Sequence, residues 1–144
     1  RIITIIKQTE NGGNYMQYLS MISGVIVGVI IFHTIYVTRT VFHNLDEENT
    51  KIFLRAIFPK FFLLLNFLGF AFLLVGGYIN PGLNEIFFMG CSNTVLPAIA
   101  YFLIPITNRA KDEGQESKFK TLHSISVLLT LVLLLSNCLI LLII

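Results

Sequence analysis

The residues of this chain that could do chemistry are polar groups set inside long apolar runs: His33, Asn66, Asn93, His123, Ser126 and Thr130, with Pro97 one turn beyond Asn93. A polar group at membrane depth is costly, so it is either paired inside the protein or marks a path or site. Proline has no N–H, so Pro97 should leave a carbonyl about one turn earlier without its helical partner and bend the helix. Asn93 then stands where it can satisfy local backbone or bridge to a neighbouring helix, and Asn66 is placed for a similar bridge.

His123, Ser126, Thr130 and Asn137 are spaced by three, four and seven residues, which puts them on one face of a helix. The opposite face is almost entirely Leu, Ile and Val. The plainer reading is a stripe that turns into a bundle and packs against the first and third spans. The sharper one is that it lines a small-molecule or ion path. His33 and His123 both fall toward the same side of the membrane, and two facing histidines could hold haem or a transition metal. Their depths differ by several ångströms and no further ligand stands near them, so no metal site and no cofactor is expected. Gly24 and Gly28 form a small-xxx-small pair, which permits close helix packing.

Motifs of catalysis are missing. There is no glycine-rich phosphate loop, no nucleophile elbow, no His-Glu-x-x-His and no carboxylate pair within the apolar runs. The acidic residues lie in charged connections, where solvation is the ordinary state. Cys91 and Cys138 sit in apolar runs with neither Cys-x-x-Cys nor Cys/His spacing, which argues against a disulfide framework or a zinc site. A net charge of +2 with no basic stripe gives no footprint for nucleic acid. The chain is not expected to be an enzyme.

The elements that must position these residues follow from composition. Of 144 residues, 55% are apolar and 12% charged, about half the usual charged share. A soluble domain of this size would expose the surplus as one large patch. A bilayer solves the problem because it is itself an apolar solvent, and crossing it takes roughly 20 apolar residues as helix. Such stretches fall within spans of about 18–42, 52–79, 83–108 and 119–144. Polar breaks separate them: Asn44–Lys51, the turn Asn80-Pro81-Gly82, and Arg109–Lys120. Only helices and closed barrels satisfy every backbone group in lipid. The expected fold is therefore all-α: an integral membrane four-helix bundle with antiparallel neighbours and short loops, over residues 16–144.

Residues 1–15 read differently. Glu10–Tyr15 can be encoded by a purine-rich GGAGG element just ahead of the ATG of Met16. The expectation is that translation starts at Met16 in a bacterium and that 1–15 are a non-native or disordered extension. From Met16 onward, the basic residues Arg39, Lys51, Arg55, Lys60, Arg109, Lys111, Lys118 and Lys120 all fall on one side of the four spans. The positive-inside rule then places loops 43–57 and 107–120 in the cytoplasm and both termini outside, in a bacterial inner membrane.

Three stretches carry a family resemblance. They are Phe53-Leu54-Arg55-Ala56-Ile57-Phe58-Pro59-Lys60-Phe61-Phe62 opening the second span, Asn93-Thr94-Val95-Leu96-Pro97 running on to Pro105-Ile106-Thr107 in the third, and Phe119-Lys120-Thr121-Leu122-His123-Ser124-Ile125-Ser126 opening the fourth. In order and spacing the chain resembles the small four-helix family that includes animal transmembrane protein 205 and many bacterial proteins. The resemblance implies a four-helix membrane domain and no particular reaction. The functional expectation is a non-enzymatic accessory or assembly protein, its partners the lipid bilayer and a membrane protein or a second copy of itself. The alternative is a small transporter or metal- or haem-handling protein that uses the polar stripe.

Overall fold

The computed structural model describes residues 2–79 and 85–143, with side chains over 15–78 and 85–142. Helix α1 (Ile2–Ile31) continues through a π-helical stretch (Phe32–Val37) into α2 (Thr38–Asn44), followed by α3 (Glu47–Ile79), α4 (Glu85–Asp112) and α5 (Glu116–Ile143). Residues 2–14 belong to the same helix as the first span. Among the described residues there is no strand. Four helical stretches there are long and apolar enough to cross a bilayer: Tyr15–Asn44, Glu47–Tyr78, Glu85–Asp112 and Glu116–Leu142. The molecule is an all-α integral membrane four-helix bundle with antiparallel neighbours.

The helices overrun the expected spans. With 33 residues, α3 is about 50 Å long at 1.5 Å per residue, well beyond a hydrocarbon core of roughly 30 Å. The expected loops 43–57 and 107–120 are mostly helix. Only Leu45–Asp46 and Glu113–Gln115 lie outside it. Charge marks where a helix leaves the lipid, whereas capping chemistry marks where it ends. Asp46 starts α3: its Oδ1 accepts the backbone N–H of Asn49 at 2.8 Å and its Oδ2 accepts Asn49 Nδ2 at 3.0 Å. These bonds satisfy a donor that the first helical turn would leave free. The Asn49 N–H, aimed at the carboxylate, holds the Asp46 pKa below its ordinary value.

Gly114 stops α4. Its φ of 69° is left-handed, a conformation that costs an L side chain energy and costs glycine none. Gln115 N–H then reaches the Ala110 carbonyl (2.9 Å) and Gly114 N–H the Lys111 carbonyl (3.2 Å), the paired closure of a Schellman motif. The expected turn at Asn80–Gly82 lies outside the described residues.

Beyond the apolar zone the helix ends are tied by charge. Asp112 accepts from Lys51 Nζ (2.6 Å) and Arg55 Nη2 (2.7 Å), joining α4 to α3. Arg109 pairs with Glu113 and Lys111 with Glu116.

Within the bundle α1 packs on α3 and α5, and α4 packs on α3 and α5, so α1 and α4 face each other across a diagonal. The core is Ile26, Ile30, Phe61, Phe62, Leu65, Ala100 and Leu133. On α1 and its π-helical continuation, Leu19, Ser23, Ile26, Ile30 and His33 are buried. Their spacing alternates four and three, the seam of near-parallel helix packing. The α3–α4 contact is the closest approach. A Cβ added to Gly69 would overlap the Asn93 carbonyl, and one on Gly90 would lie 2.8 Å from Leu73 Cα. Small residues at a lipid-embedded interface let backbones come this near, where dispersion contacts replace a hydrophobic driving force.

Candidate functional site

Pro97 organises the polar centre. It is fully buried in α4 and offers no N–H to the carbonyl of Asn93, one turn earlier. That carbonyl faces Gly69 of α3 at backbone distance. Gly69 is therefore required there by space: no side chain fits between the two helices.

The Asn93 side chain turns the other way, toward α5. Its Nδ2 donates to Asn137 Oδ1 (3.2 Å), and Asn137 Nδ2 donates back to Asn93 Oδ1 (2.9 Å). Asn137 Nδ2 also donates to the Leu133 carbonyl at 2.8 Å. Both side chains have 0% exposure. On the α3 side, Asn66 Nδ2 donates to the Thr94 carbonyl (2.7 Å), while the Thr94 hydroxyl donates to the Gly90 carbonyl (2.9 Å). One level of α4 is thus bonded to α3 through Asn66 and to α5 through Asn137. The cluster has amides, one hydroxyl and carbonyls, with no ionisable group. Its chemistry is hydrogen bonding between helices, worth about 0.6–2 kcal/mol per bond in a bilayer.

The remaining expected site residues lie elsewhere. Ser126 and Thr130 are half-buried and donate to carbonyls of their own helix, Leu122 (3.2 Å) and Ser126 (2.9 Å). The stripe on α5 does not turn inward as a unit, because these short hydroxyls find a partner one turn back without reaching another helix. His123 is exposed and stacks on Phe119 of its own helix, rings 11° from parallel with centroids 5.8 Å apart.

His33 is buried at 7% exposure and stacks on Phe61 of α3 (centroids 4.1 Å) with Phe58 beside it (5.3 Å). Among the described residues its Nε2 has no hydrogen-bond partner, and the same holds for Oγ of Ser23, ten residues earlier on the same buried seam. The π-helical turn belongs to this position: the His33 carbonyl accepts both the N–H and the hydroxyl of Thr38, the latter at 3.0 Å. His33 stacks on Phe58 and Phe61 and His123 on Phe119, so these ring contacts do not bring the two histidines together. Among the described residues no three His, Cys, Asp or Glu side chains converge on a common point. Cys91 and Cys138 are free thiols, each half-buried.

Gly24 and Gly28 do not pack within the bundle: an added Cβ at either would meet nothing within 4 Å. They lie on the side of α1 turned away from its buried seam. The close helix packing that the pair permits is not made within the bundle among the described residues, because the Leu19–His33 seam is what faces α3 and α5.

Sequence reasoning had Asn66, Asn93 and Pro97 as candidates and Asn137 as a stripe member. It did not single out Gly69 or Ser23. The three-residue step from Asn66 to Gly69 puts both on one face of α3 and was the available signal for the glycine. Nothing in the sequence marks Ser23 as unpartnered.

Residues 21–116 match the family described as Domain of unknown function (DUF4149). The chain belongs to the DUF4149 family. The DUF4149 match takes in His33, Asn66, Gly69, Asn93 and Pro97 and ends before His123, Ser126, Thr130 and Asn137. The α3–α4 half of the polar centre thus falls within the DUF4149 region, and the asparagine that completes it comes from the helix beyond. No curated protein and no solved structure matches this chain.

Proposed function

We propose that this chain is a non-enzymatic accessory or assembly protein of a bacterial inner membrane, acting through contact with another membrane protein or with a second copy of itself. The observation that carries the reading is the use of the three amides within the spans: Asn66, Asn93 and Asn137 bond helix to helix, and none of the three is left to line a path. Around Thr130 the neighbours Leu129, Leu133 and Leu134 belong to the apolar core, which is poor material for a polar conduit. The outward Gly24–Gly28 face supports a helix of a partner as the contact. The resemblance to the transmembrane protein 205-like family supports the four-helix membrane fold and implies no particular reaction.

From Met16 onward the basic residues all fall toward one end of the bundle, which favours that end as cytoplasmic and both termini as outside. Arg1 and Lys7, ahead of the first span, weaken this bias without reversing it. The test is extraction of the tagged native protein in mild detergent after cross-linking in the membrane. A cross-linked partner or homo-oligomer that is lost on Gly24→Leu is the expected result. A protein that stays monomeric in its native membrane overturns the reading.

A second reading, a small transporter or a metal- or haem-handling protein, is favoured by one observation: His33 Nε2 and Ser23 Oγ sit inside the bundle without partners among the described residues. Metal analysis and a visible absorption spectrum of protein purified from its native membrane decide it. A bound metal or a Soret band that disappears in His33→Ala is expected, and a metal-free, colourless protein rejects it.

A further inference from the structure

Two grooves at the charged end of the bundle share one pattern. The first, 280 Å³, runs along the π-helical stretch and α2, lined by Asn44, His43, Thr40, Arg39, Tyr36 and Ile35. The second, 390 Å³, runs along the start of α5, lined by Lys120, Thr121, Ser124, Ile125 and Leu128. Because α2 ends and α5 begins at the same end of the bundle, each groove passes from polar to apolar in the same direction, toward the bilayer centre. From the cation to the deepest apolar residue is four residues in the first groove (Arg39 to Ile35) and eight in the second (Lys120 to Leu128), about 6 and 12 Å of helix. Such distances reach from a headgroup phosphate into the upper acyl chain.

Lys51, Arg55, Arg109 and Lys111 are each paired with a carboxylate. Arg39 and Lys120, like Lys60 and Lys118, make no ion pair among the described residues, and Lys120 feels Glu116 only at longer range. Arg39 and Lys120 are exposed, as are Tyr36, Ile35 and Leu128 below them. Each groove thus presents an exposed cation that no ion pair ties up, with hydroxyls beside it and an apolar floor. Guanidinium matches phosphate by a two-pronged hydrogen bond, and ammonium by charge. A zwitterionic headgroup carries its own cation and gains less.

We propose that the Arg39 and Lys120 grooves each seat an anionic phospholipid, the headgroup phosphate on the cation and one acyl chain along Ile35–Tyr36 or Ile125–Leu128. The occupant is a lipid and not free phosphate, because half of each groove is apolar. The proposal does not depend on the accessory-protein reading.

The test reconstitutes the protein in nanodiscs of equal phosphatidylglycerol and phosphatidylcholine and counts the phospholipids retained by native mass spectrometry. The wild type is expected to retain phosphatidylglycerol in preference. Arg39→Gln and Lys120→Gln should each lower that preference roughly fivefold, the worth of one cation near an anionic surface. Arg39→Lys should keep most of it. Arg109→Gln, which removes the same charge from an ion-paired position outside the lining of both grooves, should leave it unchanged. Equal retention of the two lipids by the wild type overturns the proposal, as does an equal loss in Arg109→Gln. Displacement of the lipid by millimolar inorganic phosphate would show a phosphate site and also overturn it.

Discussion

Asn93 and Asn137 exchange side-chain hydrogen bonds in both directions between α4 and α5, each amide completely withdrawn from the surface. In lipid neither has water as an alternative, so each amide is the other's condition for being there.

Replacing one of the pair should therefore cost more than replacing both. Asn93→Leu or Asn137→Leu leaves an unmatched amide and is expected to destabilise the bundle by about 1–2 kcal/mol. The double variant should recover part of that loss. Reversible unfolding in mixed micelles, read as a double-mutant cycle, measures the coupling. Strictly additive losses would mean that the two bonds contribute nothing jointly.

Gly69 and Gly24 offer a contrast between two glycines of the same chain. A methyl at Gly69 collides with the Asn93 carbonyl, and its remedy is separation of α3 from α4. Gly69→Ala is expected to cost about 1–3 kcal/mol, the usual penalty of overpacking. Gly24→Ala meets open space and should leave the stability of the monomeric bundle unchanged or slightly raised. Thermal unfolding of the two variants in the same detergent checks the difference. Equal behaviour would contradict the close α3–α4 approach.

Gly114 is the point at which a long helix turns back. Its left-handed φ and the two closing hydrogen bonds predict that Gly114→Ala costs about 1 kcal/mol and Gly114→Asn less, because asparagine tolerates that region better. Amide hydrogen exchange at Gly114 and Gln115 should speed up in the alanine variant. Unchanged protection there would argue against the motif.

Asp46 links the start of α3 to pH. The Asn49 N–H lowers its pKa in the folded chain, so the charged carboxylate is the form the fold prefers. The contribution is fully present above the unfolded value, about 3.9, and is lost as pH falls through the lower folded value. Carboxyl NMR should find the Asp46 midpoint below that of a free aspartate. Asp46→Asn should keep the cap while removing the acid-side loss of order at Asn49 and Thr50. A midpoint at or above the ordinary value would refute the assignment.

How the chain meets its solvent was legible from one dimension. Whether a run such as Phe61–Ile79 enters lipid depends on a sum of side-chain transfer energies along a single helix, and no distant residue alters it. The number of spans and the positions of the charged ends followed from that sum. Helix ends were less legible, because α3 and α4 continue beyond the lipid until Asp46 and Gly114 cap them. The partners of the polar residues could not be read at all. Asn93 meets Asn137, while Ser126 and Thr130 bond to their own helix and His33 and His123 face different surroundings. Those outcomes depend on the rotation of each helix about its axis and on how far one slides past the next. Both are settled only when Gly69 meets the Asn93 backbone and the apolar seams close, since a turn of 100° per residue carries a side chain from the core to the lipid with a change in packing and none in hydropathy.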